Sequence, residues 1–87
     1  MTSRVSPHAV SASLESGAVV LHMVTKRYFT LNESGALIWS LLEQGCGGTE
    51  IVSRVCETFA VSAGDAQASL VRLMADLESE QLIVGGA

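Results

Sequence analysis

A strand passes directly into a helix in the stretch RYFTLNESGALIWSLLEQG, residues 27–45. The first five residues, Arg27 to Leu31, are mostly aromatic or β-branched, which is typical of a short strand. Asn32 is a good N-cap, Glu33 lies favourably in the first helical turn, and Gly45 is a plausible C-terminal stop. The apolar face of this predicted helix comprises Ile38, Trp39, Leu41 and Leu42.

Two more strands are predicted upstream. From His8 to Leu14, apolar and small polar residues alternate with the period of a half-buried strand. The apolar set of that alternation, expected to face the core, is His8, Val10, Ala12 and Leu14. The run from Ala18 to Val24 is nearly all apolar, as in a central strand. Together with Arg27 to Leu31, these runs predict a three-stranded antiparallel meander.

Two more helices are predicted downstream. Thr49 opens the second, whose apolar residues repeat at helical spacing up to Phe59. Ser62 and Asp65 form a capping box that opens the third, which should run to about Glu80. The expected fold is α+β: a three-stranded antiparallel sheet followed by three helices, similar to a winged helix-turn-helix. It occupies residues 8–84 as one domain, between flexible ends at 1–7 and 85–87.

The composition excludes several classes of function. The formal net charge is −4, and the five Lys and Arg residues are scattered, which disfavours nucleic acid as the partner. No apolar run is long enough to cross a bilayer, and the N-terminal residues lack the pattern of a secretory signal. We therefore expect a cytoplasmic protein in which Cys46 and Cys56 are free thiols.

Catalytic and metal-binding patterns find little support. The two histidines, His8 and His22, lie in predicted strands with no nucleophile or orienting group around them. The sequence Gly-Cys-Gly-Gly at 45–48 lacks the Lys and Ser/Thr of a phosphate-binding loop. Cys46 and Cys56 are ten residues apart and do not form the paired spacing of a zinc site. We expect no enzyme activity, no cofactor and no metal.

The third helix has a wide apolar arc. Its central stripe, predicted to face the core, comprises Ala66, Leu70, Leu73 and Leu77. Val71 and Met74 extend the apolar surface around one shoulder, beside Gln67 and Glu78. Two interpretations remain open: the shoulder is a broad core contact, or it lines a groove that accepts varied side chains.

A DNA-binding winged helix is the structural alternative. In that fold the third helix would approach the phosphates. Here it carries a single basic residue, Arg72. The acidic residues on and just after it are Asp65, Asp76, Glu78 and Glu80. This charge opposes DNA binding.

The stretch at 27–45 resembles the signature of the PqqD-like family, the recognition elements of peptide natural-product pathways. That signature is an aromatic strand ending in Leu-Asn, then a helix containing Ile-Trp-x-Leu-Leu and a glycine turn. Leu31-Asn32, Gly35, Ile38-Trp39 and Gly45 coincide with it in order and spacing. The resemblance extends over about residues 8–84. One departure is Lys26, where relatives often have Gly in the second hairpin turn.

The resemblance implies a non-catalytic adaptor that binds the leader segment of a ribosomally synthesised precursor peptide as an added strand. The stand-alone, Trp-containing form is most similar to the lasso-peptide branch, whose partners would be a leader peptidase and a macrolactam synthetase. The pyrroloquinoline quinone branch, which serves a radical SAM enzyme, is the alternative. The short third strand, the wide apolar arc of the third helix and the resemblance together predict the peptide-binding residues, which are Arg27, Tyr28, Phe29, Thr30, Leu31, Gln67, Val71, Met74 and Glu78.

Overall fold

Residues 4–84, which the computed structural model describes, form five strands and three helices. In chain order these are β1 (Arg4–Val5), β2 (Ala9–Leu14), β3 (Gly17–His22), β4 (Tyr28–Leu31), α1 (Glu33–Glu43), α2 (Gly48–Phe59), α3 (Ala63–Ser79) and β5 (Ile83–Val84). The predicted α+β class, with an antiparallel sheet followed by three helices, is confirmed. The predicted tail at 85–87 and the first three residues lie outside the described part of the chain.

The main sheet is antiparallel in the order β2-β3-β4. Its register places Val10 opposite Leu21 and Leu21 opposite Tyr28. A second, two-stranded sheet joins β1 to β5, with Arg4 opposite Val84 and residue 5 opposite residue 83. Residues 1–7 are the predicted flexible end, and Arg4 and Val5 within that range form β1. A strand of two residues has no periodicity from which it could be predicted.

The burial of β2 is the reverse of the expected alternation. Val10 and Leu14, assigned to the core face, are each 53% exposed on the outer side of the sheet. Ala9 and Ser11 are the half-buried residues instead. The inner side of this edge strand therefore carries small residues, and the hydroxyl of Ser11 donates a hydrogen bond of 3.4 Å to Glu43 at the end of α1.

The two helix starts predicted from side-chain caps are confirmed. Asn32 Oδ1 accepts a 2.8 Å hydrogen bond from the backbone N–H of Gly35, and Ser62 Oγ accepts one of 3.1 Å from that of Asp65. Each cap satisfies a backbone donor that has no partner within its helix. In α2 the helix begins one residue before the predicted Thr49, with Gly47 as its N-cap.

The core lies between the sheet and the helices. Val20 on β3, Trp39 on α1 and Leu77 on α3 are almost completely buried in it. The indole N–H of Trp39 is also buried, and it has no hydrogen-bond partner among the described residues. No helix within residues 4–84 combines the length and the apolar character that a bilayer crossing requires.

Candidate functional site

Strand β4 lies at one edge of the main sheet. It pairs with β3 on one side, and within residues 4–84 its other side pairs with no strand. The backbone N–H of His22 donates to the carbonyl oxygen of Arg27 at 2.8 Å, while the Arg27 N–H donates to Thr25 Oγ1, so this position is the last hydrogen-bonded pair of the ladder and makes one of its two bonds. Because such pairs alternate along an antiparallel ladder, Phe29 and Leu31 also bond to β3. Tyr28 and Thr30 therefore direct their backbone N–H and C=O groups to the free edge.

A cleft of about 240 Å³ lies between β4, the start of α1 and the middle of α3. Its lining residues are Phe29, Thr30, Leu31, Asn32, Ser34, Gly35, Ile38, Ser69, Arg72, Leu73 and Asp76. The free backbone edge of β4 thus lies next to a cleft that can accept side chains.

The cleft has an apolar floor and a polar wall. Leu31 and Ile38 are buried, and Leu73 is half-buried, so they present the floor. The wall consists of three exposed α3 residues, Ser69, Arg72 and Asp76. Such a site can take an extended segment with alternating side chains, because every second residue of a strand faces the same side.

One end of β4 is tied to the end of α3 by an ion pair. Arg27 Nε lies 3.0 Å from Glu80 Oε1, and Arg27 Nη2 donates to Glu80 Oε2 at 3.1 Å. This two-point contact fixes the guanidinium in plane with the carboxylate. Arg27 belongs to the predicted peptide-binding set, and in the structure its side chain is engaged with α3.

The structure brings three of the predicted β4 residues, Phe29, Thr30 and Leu31, to the cleft. Tyr28 lies beside them with 70% of its surface exposed on the outer side of the sheet.

The four predicted α3 residues, Gln67, Val71, Met74 and Glu78, do not line the cleft. At 100° per residue they fall on one side of the Leu70 stripe, and the cleft residues of α3 fall on the other. The cleft therefore does not lie between β4 and the Val71–Met74 shoulder, where the groove was expected. Met74 packs partly against the core, and Val71 is exposed.

The cleft-facing side of α3 was missed because most of it is polar. A search for extra apolar surface in the sequence selects the opposite shoulder, which carries Val71 and Met74. Leu73, which was predicted to face only the core, was the one residue in the sequence that could have indicated the cleft-facing side. It has Ser69 and Asp76 as its neighbours four residues before and three residues after it on the helix surface, so its own side of α3 is amphipathic.

Glu78 borders a second, more open cavity of about 410 Å³ near His8, His22 and β5. The two imidazole centroids are 5.9 Å apart. His22 is buried, and its Nδ1 accepts hydrogen bonds from the backbone N–H groups of Val24 and Thr25 at 3.2 and 3.3 Å. This histidine therefore holds the turn between β3 and β4.

The cysteines are free thiols, as predicted for the reduced state. Burial raises the pKa of the Cys46 thiol, and the neighbouring Glu50 carboxylate raises that pKa further, while Arg54 opposes both effects. A raised pKa keeps the sulfur protonated at neutral pH, whereas an activated nucleophile needs the thiolate. Within residues 4–84, no three His, Cys, Asp or Glu side chains gather as metal ligands would.

Comparison with known proteins places these features in a family. The family model of coenzyme PQQ synthesis protein D (PqqD) matches residues 17–83. A comparison with curated proteins finds no match.

Two solved structures are similar along almost the whole chain. One is described as TbiB1 in complex with the TbiA(beta) leader peptide. It has 34% sequence identity and a TM-score of 0.89, over 97% of this chain and 98% of that one. The other is described as lasso peptide synthetase B1 complexed with the leader peptide, with 22% identity and a TM-score of 0.87 over 98% of this chain and 100% of that one. At that identity the second likeness supports the fold alone. The family match covers most of the chain and the first relative covers nearly all of it, so this protein belongs to the PqqD family.

Proposed function

We propose that this protein is a non-catalytic adaptor that binds the leader segment of a ribosomally synthesised precursor peptide and presents it to separate modifying enzymes. The observation that carries the proposal is the free edge of β4 beside the cleft against α3. A peptide that adds to β4 as a fourth strand would bond to the outward backbone groups of Tyr28 and Thr30. Its inward side chains would enter the cleft.

This mode of binding suits the composition of the site. In strand addition, backbone hydrogen bonds supply affinity and side-chain pockets supply specificity. The cleft supplies an apolar floor for the peptide's side chains. Strand addition requires neither catalytic residues nor a basic surface, which agrees with the formal net charge of −4.

The relative with 34% identity supports leader-peptide binding, because it is described in complex with the TbiA(beta) leader peptide. The stand-alone, Trp-containing form of the sequence favours a lasso-peptide pathway. In such a pathway the adaptor would serve a leader peptidase and a macrolactam synthetase in the cytoplasm. The family's own description refers to PQQ synthesis, which makes a radical SAM enzyme the alternative partner.

The test targets one backbone group. Thr30→Pro removes the N–H that points to the free edge, and an edge strand tolerates Pro where that N–H faces outward. We expect its affinity for the labelled TbiA(beta) leader peptide to fall about tenfold, as for one lost hydrogen bond of roughly 1–1.5 kcal/mol. Fluorescence anisotropy measures the affinity, and circular dichroism checks that the variant is folded.

Thr30→Ala is the matched control, because it shortens the same side chain and keeps the N–H. It should lose clearly less affinity than Thr30→Pro does. Equal affinity of all three proteins would contradict binding at this edge. No saturable peptide binding, together with tight and salt-sensitive binding of duplex DNA, would favour a regulator instead.

A further inference from the structure

The cleft contains one cation with no partner in the described structure. Arg72 is the only positively charged residue among the described lining residues. Residues 4–84 contain one ion pair within 4.0 Å, which joins Arg27 to Glu80, so the Arg72 guanidinium pairs with no carboxylate. Asp76 also lines the cleft, one helical turn further along α3, and it is likewise outside ion-pair distance.

The spacing of these two charges matches an extended peptide. Positions four apart on a helix are separated by about 6 Å along its axis. Alternate residues of a strand, which face the same side, are separated by about 6.6–6.8 Å. A strand lying along α3 can therefore place one side chain at Arg72 and the next on the same face at Asp76.

We infer that Arg72 and Asp76 determine which peptides bind, by selecting an acidic residue opposite Arg72 and a basic residue two positions away, opposite Asp76. This inference rests on the proposed function and adds the charge pattern of its ligand. The apolar floor holds peptides of many sequences, and the two charges would fix which residue lies where along β4.

The surrounding charge sharpens the preference. The chain as a whole carries a net charge of −4, so an acidic peptide residue gains little from the protein's long-range field. The gain is confined to the position beside Arg72. Opposite Asp76 an acidic residue meets a like charge and is rejected, which adds specificity beyond the attraction itself.

The expected effect is moderate, because both residues lie on the exposed wall of the cleft. Exposed ion pairs contribute little by themselves, and partial exclusion of water by a bound peptide strengthens them. Reversing one charge replaces an attraction with a repulsion. We therefore expect affinity changes of roughly three- to tenfold for a single reversal.

The experiment is a selection from a random library of twelve-residue peptides displayed on phage, with wild type, Arg72→Glu and Asp76→Lys as parallel targets. Wild type should enrich peptides that carry an acidic and a basic residue two positions apart. Arg72→Glu should exchange the acidic residue for a basic one, and Asp76→Lys should exchange the basic residue for an acidic one. Thr58→Glu, at an exposed position of α2 that does not line the cleft, is the control and should select the wild-type pattern.

A peptide from the wild-type selection then provides the quantitative check. Replacing its acidic residue by Lys should weaken binding to wild type and restore binding to Arg72→Glu, again by roughly three- to tenfold. Enriched peptides with the same charges on all targets would overturn the inference and leave strand addition intact. Failure of Thr30→Pro to lower the affinity of enriched peptides would instead overturn the proposed function.

Discussion

At the scale of single residues, Gly17 connects the hairpin to the site. It begins β3 opposite Leu14, where a Cβ atom would overlap the carbonyl oxygen of Leu31 at the end of β4. Since that neighbour is backbone, no side-chain rotation can relieve the overlap. Gly17 therefore sets how closely the β2–β3 turn approaches the strand that borders the cleft.

Gly17→Ala should lower the free energy of unfolding by about 1–3 kcal/mol, the usual cost of overpacking. The measurement is urea unfolding followed by circular dichroism. Gly64→Ala is the control, because nothing lies within 4 Å of a Cβ added there in the first turn of α3. It should leave stability unchanged or raise it by up to about 1 kcal/mol through helix propensity. An unaltered unfolding midpoint for Gly17→Ala would contradict the overlap.

At the scale of secondary-structure elements, the main sheet is apolar on both sides. The register aligns Val10, Leu21 and Tyr28 in one row across the outer side. On the inner side Val20 is completely buried beneath the helices. Valine therefore occurs at an exposed position in β2 (Val10) and at a completely buried position in β3 (Val20).

Replacing Val10 and Val20 by Thr in separate variants distinguishes the exposed from the buried position, because Val and Thr have nearly the same shape and both favour strands. Val20→Thr buries a hydroxyl and should cost about 1–3 kcal/mol of unfolding free energy. Val10→Thr should change it by less than about 0.5 kcal/mol. Equal losses in urea unfolding would show that the outer row also contributes to the core.

At the scale of the whole molecule, the proposed adaptor should be chemically inert. Its described residues contain no cluster of three potential metal ligands, and Cys46 is held as the thiol. Because the proposed adaptor leaves the chemistry to separate enzymes, we expect a precursor peptide incubated with the purified protein alone to keep its mass. Intact mass spectrometry after long incubation measures this, with added leader peptidase as the positive control. Cleavage or modification by the isolated protein would contradict the adaptor function.

Local signals in the sequence were sufficient for the starts of α1 and α3. The caps at Asn32 and Ser62 act through hydrogen bonds to residues three positions away, so the sequence contains all of their partners. The faces of the elements depend on contacts distant in the chain. Val10 faces outward because α1 packs against β3 and β4, and only small inner side chains are needed on β2.

The candidate site was predictable where it depends on local sequence and not where it depends on contacts distant in the chain. The edge strand was expected at Arg27 to Leu31, and three of these residues reach the cleft. The core-facing stripe of α3 is buried as predicted at Ala66, Leu70 and Leu77, but which side of that stripe borders β4 was not predictable from an apolar arc that extends around one shoulder. In the structure Leu70 and Leu77 are buried and therefore point to the core. Leu73, on one side of them, lies at the border of the cleft.

The burial of Trp39 determines the wavelength of its fluorescence. It is the only tryptophan in the chain, and its indole ring is buried with an N–H that donates to no described residue. An indole in such an apolar setting emits at shorter wavelength than one in water, so its fluorescence reports the collapse or exposure of the core. The ring neighbours Ile38 in sequence but does not itself line the cleft. Emission from this single chromophore therefore separates loss of the fold from loss of peptide binding without any attached dye.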